Sequence, residues 1–202
     1  MKKYEIVRIL QKFQKKIFTF SDLKKILHID NDNYLYIIIS RLLKEGILIS
    51  LKKGIYFLEG NEPSDFEIAN IIYEPSYISL ETALNYYGIL IQTPYIIFSL
   101  TPKRGKKIIL NEKEFYYFHI DKKYFKGYLK EKDFLIATPE KALTDTLYFS
   151  SLNKTKIDIN ELNLEIIDKK KLKLYLNEIK NKIFQKYIKD LKLWYLMMKL
   201  KI

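Results

Sequence analysis

The stretch from residue 20 to 58 constrains the fold of this chain more than any other. Phe20-Ser21-Asp22-Leu23-Lys24-Lys25-Ile26-Leu27 reads as a short helix with Thr19 or Ser21 as its cap. Asp30-Asn31-Asp32-Asn33 is a polar turn that caps the next helix. There Leu35, Ile38, Ile39, Leu42 and Leu43 recur at spacings of three and four, the signature of one buried helical face. The other face keeps Asn33, Tyr34, Tyr36, Ile37, Ser40, Arg41 and Lys44, and Gly46 stops the helix. Ile47–Leu51 and Ile55–Leu58 then read as two short strands around Lys52-Lys53-Gly54. Helix, turn, helix and a hairpin with a basic tip is the plan of a winged helix-turn-helix. That plan places one helix in a DNA major groove with a basic loop beside it.

On this plan Arg41 and Lys44 reach phosphates or guanine edges, while Asn33 and Ser40 hydrogen-bond bases or backbone. Tyr34 and Tyr36 suit a sugar, a thymine methyl or the edge of the core. Lys52 and Lys53 at the hairpin tip suit phosphates or the minor groove. Asp30 and Asp32 oppose this, because they set carboxylates close to the same surface. The alternative is a protein-interaction module of the same shape that docks an acidic partner.

Charge separates the ends from the middle. Residues 1–60 hold 12 Lys/Arg against 6 Asp/Glu, residues 61–150 hold 11 against 12, and residues 151–202 hold 13 against 6. Basic ends around a neutral middle fit a chain that meets a polyanion, although a Lys-rich solvated surface has the same composition. Cysteine is absent and the two histidines, His28 and His119, are far apart, so neither a thiolate nor a histidine metal site is expected. No cofactor is expected either. No apolar run has the length of a membrane span and no signal-peptide core follows Met1, which points to the cytoplasm.

The remainder predicts an α+β protein in two domains, 1–60 and 61–202. Tyr4 to Gln14 has a helical period, with Ile6, Val7, Ile9, Leu10 and Phe13 apolar. Glu59-Gly60-Asn61-Glu62-Pro63 breaks the pattern as a boundary. Ser64 and Glu67 then form a capping box for a helix to about Tyr73, and Ser79 caps another that Gly88 stops. Five β-rich runs follow between about 95 and 137: Tyr95–Leu100, Lys107–Leu110, Phe115–Ile120, Tyr124–Leu129 and Phe134–Ala137. Their short turns predict a mostly antiparallel sheet. Thr138-Pro139-Glu140 opens a helical, basic segment over about 138–202. In it Leu172, Leu176, Ile179, Ile183, Tyr187, Leu191 and Trp194 mark one long helix or a helix pair.

Two further constellations carry chemistry. Lys103, Arg104, Lys106 and Lys107 make a basic loop between strands, without the spacing of a nucleotide-binding loop. It suits nucleic acid, an acidic partner or plain solvent. Asp133, Glu140 and Asp145, with Lys141, raise a nuclease reading, which needs carboxylates converging on a divalent cation. Glu140 has the simpler role of a first-turn residue, so no catalytic site is expected.

Ser76-Tyr77-Ile78-Ser79-Leu80-Glu81-Thr82-Ala83-Leu84 with Tyr87-Gly88, Thr101-Pro102-Lys103-Arg104, Phe125-Lys126-Gly127-Tyr128 and Ile136-Ala137-Thr138-Pro139-Glu140-Lys141-Ala142-Leu143-Thr144-Asp145 together carry a resemblance. Over roughly residues 5–150 the chain resembles the AbiEi family of antitoxins, transcriptional regulators of abortive-infection toxin–antitoxin systems. The resemblance implies an N-terminal winged helix and a mixed α/β antitoxin domain, without enzymatic activity. It implies repression of its own operon through inverted repeats in double-stranded DNA. The implied counterpart is an AbiEii-like nucleotidyltransferase toxin, usually antagonised without a stable complex. The DNA-contacting role then falls on the exposed side of the third helix, Asn33 to Lys44, and on Lys52 and Lys53.

Overall fold

The computed structural model describes residues 2–13 and 15–191, an α+β protein with two sheets. Contacts divide it into a unit ending at Ile68 and a unit beginning at Ala69. Among the described residues no helix is long and apolar enough to cross a membrane.

The first unit runs α1 (Lys3–Gln11), β1 (Ile17–Thr19), α2 (Phe20–Ile26), α3 (Asp32–Lys44), β2 (Leu48–Lys52) and β3 (Ile55–Leu58). Thr19, not Ser21, starts α2. Its N–H donates to Asp22 Oδ2 at 2.8 Å and its hydroxyl accepts from the Asp22 N–H at 3.1 Å. Asn31 Oδ1 accepts from the Tyr34 N–H at 3.1 Å and starts α3. At the far end the Ile47 N–H reaches Leu42 O at 2.9 Å and the Gly46 N–H reaches Leu43 O at 3.1 Å, the bond pair of a Schellman stop. Leu35, Ile38, Ile39 and Leu42 are buried with Ile6, Leu10, Phe18 and Leu23 in one core. Phe13 is exposed, because α1 ends at Gln11 and the periodicity expected through Gln14 is not continued.

The sheet order is β1-β3-β2, antiparallel throughout, with every residue of β3 buried. β1 was not foreseen. Three residues cannot display an alternation, and Ile17–Thr19 is a strand only because Phe57, Tyr56 and Ile55 stand opposite. The hairpin tip is tied down, since the Phe20 N–H donates to Gly54 O at 2.9 Å.

The α2 cap makes this unit acid-sensitive. Burial pushes the Asp22 carboxyl up, but the Lys15 ammonium at 2.6 Å and the Thr19 donors outweigh it and hold the group below its ordinary 3.8. A lowered folded pKa contributes stability above the unfolded value that is lost as pH falls through the folded one. Amide exchange in α2 is therefore expected to accelerate as the pH drops below 3.8, after correction for intrinsic rates. Asp22→Asn should flatten that dependence, and an unchanged profile in the variant would reject the assignment.

The second unit follows the division, which falls inside α4 (Asp65–Ile72). The Ser64/Glu67 box opens that helix, with the Ser64 N–H on Glu67 Oε2 at 2.7 Å and the Glu67 N–H on Ser64 Oγ at 3.3 Å. Then come β4 (Tyr77–Ile78), α5 (Leu80–Tyr86), β5 (Ile96–Thr101), β6 (Lys106–Leu110), β7 (Lys113–His119), β8 (Tyr128–Glu131), β9 (Phe134–Ala137), α6 (Pro139–Ser151), α7 (Lys169–Glu178) and α8 (Lys182–Asp190).

Six strands form one mixed sheet in the order β6-β7-β5-β4-β9-β8. Three pairings are antiparallel, but β5–β7 and β4–β9 are parallel. Short turns imply a mostly antiparallel sheet, and these two parallel pairings depart from it. The turn after β5 passes the end of β7, runs β6 along the outer edge and lets β7 return between them. Gly105 makes that crossing possible, because a Cβ there would stand 3.0 Å from Tyr117 O. β7 takes the inner position since Phe115 and Tyr117 bury almost completely, while Lys106 and Lys107 suit β6 to an edge.

Other expectations need correction. Tyr124 belongs to a 3₁₀ turn, Lys122–Tyr124, and the strand expected over 124–129 begins only at Tyr128. Ser79 occupies the N-cap of α5 but makes no capping bond, because its hydroxyl is engaged elsewhere. The C-terminal period is a helix pair up to Asp190, with Asn181 capping α8 through the Ile183 and Phe184 N–H groups. The break resets the phase. Phe184 and Ile188 are buried and Ile183 is exposed, where an unbroken period had placed Ile183 and Tyr187 inward. Trp194 lies outside the described residues.

Candidate nucleic-acid interface

In the first unit, burial of Leu35, Ile38, Ile39 and Leu42, with Leu43 half-buried against the same core, turns the polar side of α3 outward. Asn33, Tyr34, Tyr36, Ser40, Arg41 and Lys44 are all exposed, and so are Lys52 and Lys53 at the tip of the β2–β3 hairpin. Tyr36 is held on one flank by stacking on Phe20, ring centroids 4.5 Å apart. Asp32 does not stand alone beside this surface, because Lys24 Nζ pairs with its Oδ1 at 2.6 Å. The pairing halves the objection that the two aspartates raise, while Asp30 stays exposed. Chemically the face offers one guanidinium, three ammonium groups, one amide and the hydroxyls of Ser40, Tyr34 and Tyr36, the donor set for phosphates and base edges. Ile37 stands exposed among them, an apolar residue on the outward face.

The expected basic loop of the second unit is divided, with Lys103 and Arg104 in the turn after β5 and Lys106 and Lys107 on β6, and it is more committed to its own structure. The Tyr73 hydroxyl donates to Arg104 O at 2.8 Å, and the Lys103 and Lys106 ammoniums lie 5.8 and 5.6 Å from the Tyr73 ring centre. Lys107 pairs with Glu114 at 2.8 Å. His119 Nδ1 is 2.9 Å from Lys103 O; a carbonyl can only accept, so Nδ1 carries the proton. All four basic side chains are exposed.

The segments 76–84 and 136–145 meet in the interior of the second unit, which no local pattern revealed. Lys141 Nζ pairs with Asp145 Oδ1 one helical turn away and donates to the Tyr77 hydroxyl at 3.0 Å. The Tyr77 and Ser79 hydroxyls donate to Asp145 Oδ2 at 3.1 and 2.9 Å. The Lys141 and Asp145 side chains are 4% and 0% exposed. Burial pushes the Asp145 carboxyl above its ordinary 3.8 although Lys141, Ser79 and Tyr77 all favour its charge. Burial, then the Asp145 charge, pushes the Tyr77 hydroxyl well above 10.0.

The surroundings are fitted to this cluster. Gly127, at φ +78°, leaves room where a Cβ would stand 2.7 Å from the Tyr175 hydroxyl and 3.0 Å from Lys141 Cγ. Leu80, directly after Ser79, holds φ +54° although it is fully buried. A side chain in that region costs about 1–3 kcal/mol, and the packing around Leu80 must hold it there.

The carboxylates considered for a nuclease go separate ways. Asp133 is exposed in the β8–β9 turn. Glu140 is buried, accepts from the Asp168 N–H at 3.2 Å and stands 3.4 Å from the Lys171 ammonium. Five positions along α6 turn Asp145 roughly 140° away from Glu140. Among the described residues no three His, Asp or Glu side chains are grouped to hold a metal ion. No family model and no curated protein matches the chain.

Proposed function

We propose that this protein is a DNA-binding antitoxin that represses its own toxin–antitoxin operon and counteracts a nucleotidyltransferase-like toxin. The order α1-β1-α2-α3-β2-β3 with a three-stranded sheet supports a winged-helix reading, in which α3 would be the recognition helix and β2–β3 the wing. One observation carries the reading. All eight polar, aromatic and basic residues expected at DNA, from Asn33 to Lys53, are exposed on α3 and the wing of a unit whose first 60 residues carry 12 basic against 6 acidic groups. The antitoxin half rests on the resemblance of the 76–84 and 136–145 segments, and it assigns no catalytic role and no cofactor to the chain.

A second reading has its own support. Tyr34, Tyr36 and Ile37 are 47%, 53% and 65% exposed, and aromatic and apolar groups on one face also suit protein docking. A titration of the whole protein against the DNA upstream of its own gene, with an unrelated duplex as control, separates the two. Preferential binding of the upstream duplex is expected. Equal, weak binding to both would leave docking of an acidic protein as the use of this face.

A further inference from the structure

Ile37 occupies a position that neither core packing nor helix propensity explains. It stands opposite the buried line of Leu35, Ile38, Ile39 and Leu42, at the centre of the outward stripe Asn33, Ile37, Ser40 and Lys44. Positions three and four residues away are helical neighbours, so Asn33, Tyr34, Ser40 and Arg41 ring it. Ile is β-branched and gains nothing from an exposed helix site unless something covers it. Single exposed apolar residues are ordinary. This one is flanked by two exposed tyrosines in the middle of the polar and basic groups proposed to meet DNA.

The major groove presents one apolar feature, the C5-methyl of thymine. Resting on the DNA-binding reading above, we infer that α3 selects A·T-rich sequence by seating Ile37 against thymine methyl groups, with Tyr34 at its edge. Charge complementarity selects nucleic acid as the occupant, because Arg41, Lys44, Lys52 and Lys53 supply the cations for the flanking phosphates. Base hydrogen bonding is then left to Asn33, Ser40 and Arg41, and methyl contact supplies the remaining discrimination.

The test compares the upstream duplex with the same duplex carrying uracil in place of every thymine, which removes the methyls and keeps the pairing. The full-length protein is expected to lose affinity by about four-fold for each methyl covered. Ile37→Ala should weaken binding to the thymine duplex and lose most of the uracil sensitivity. Lys53→Ala should weaken binding to both duplexes alike and keep it. Equal affinity of the unaltered protein for the two duplexes overturns the inference and leaves DNA binding standing. A uracil effect that persists in Ile37→Ala traces to another contact or to DNA shape and overturns the assignment to this residue. Absence of preferential binding to the upstream duplex removes the reading beneath it and turns the face over to a protein partner.

Discussion

Asp145→Ala is expected to destabilise the second unit by roughly 3–5 kcal/mol, the cost of leaving one member of a buried ion pair without its partner. The Lys141 side chain is 4% exposed and lies beside the Tyr77 hydroxyl, so water cannot replace the lost carboxylate without opening the packing. Tyr77 and Ser79 lose their shared acceptor in the same step. The effect should appear as a lower urea midpoint and as faster amide exchange along α6, which the cluster ties to β4. Lys141→Met combined with Asp145→Leu should recover much of the loss, because it removes both charges at similar volume. It should not recover all of it, since the two hydroxyls remain unsatisfied. A single variant within about 0.5 kcal/mol of the parent would show that the cluster is solvated in solution and does not anchor the 76–84 segment to α6.

The combined Arg41, Lys44, Lys52 and Lys53 alanine variant is expected to lose affinity for the upstream duplex by about a thousand-fold at 0.1 M salt. That figure assumes that each of the four meets a phosphate. The salt dependence is the sharper reading. Each phosphate contact removed should make the slope of log affinity against log salt shallower by about 0.9. All four side chains are exposed, so the fold should survive, and an unchanged melting curve is the control. Arg41 and Lys52 also interact within the protein, which makes that control necessary. Loss of DNA binding with protection against the toxin intact would separate repression from antagonism. An unchanged slope would place the DNA contact elsewhere and leave this face to a protein.

How much was legible in advance depended on the range of the physics. The buried line of α3 and the outward position of its polar residues follow from a 3.6-residue period, so both could be read directly. The caps at Thr19, Asn31, Ser64 and Thr138 involve partners within three residues; residue type and spacing single out Ser64 and Thr138, narrow the α2 cap to Thr19 or Ser21, and place the α3 cap within residues 30–33. Ile37 was visible as an outward residue, but its isolation among polar groups gained meaning only once its exposure was known.

The failures share one cause. β1 and β4 are two or three residues long and exist only because a distant strand stands opposite them. The parallel β5–β7 pairing depended on which strand offered more aromatic surface to the interior, a competition that loop length does not record. The inward face of α8 moved because Asn181 restarted the helix and reset its phase. Ser79 looked like a cap and serves Asp145 instead, since a buried carboxylate with few donors outcompetes a helix end.

By itself the sequence determined the longer helices, most of their caps, the outward chemistry of α3 and the separation of charge, because helical period, capping and Coulomb sign act over a few residues. Only the tertiary structure decided that Tyr77 and Ser79 would meet Lys141 and Asp145, and that β7 would slip between β5 and β6. Desolvation and sheet pairing reward contacts between residues far apart in the chain, and no stretch of sequence contains both partners.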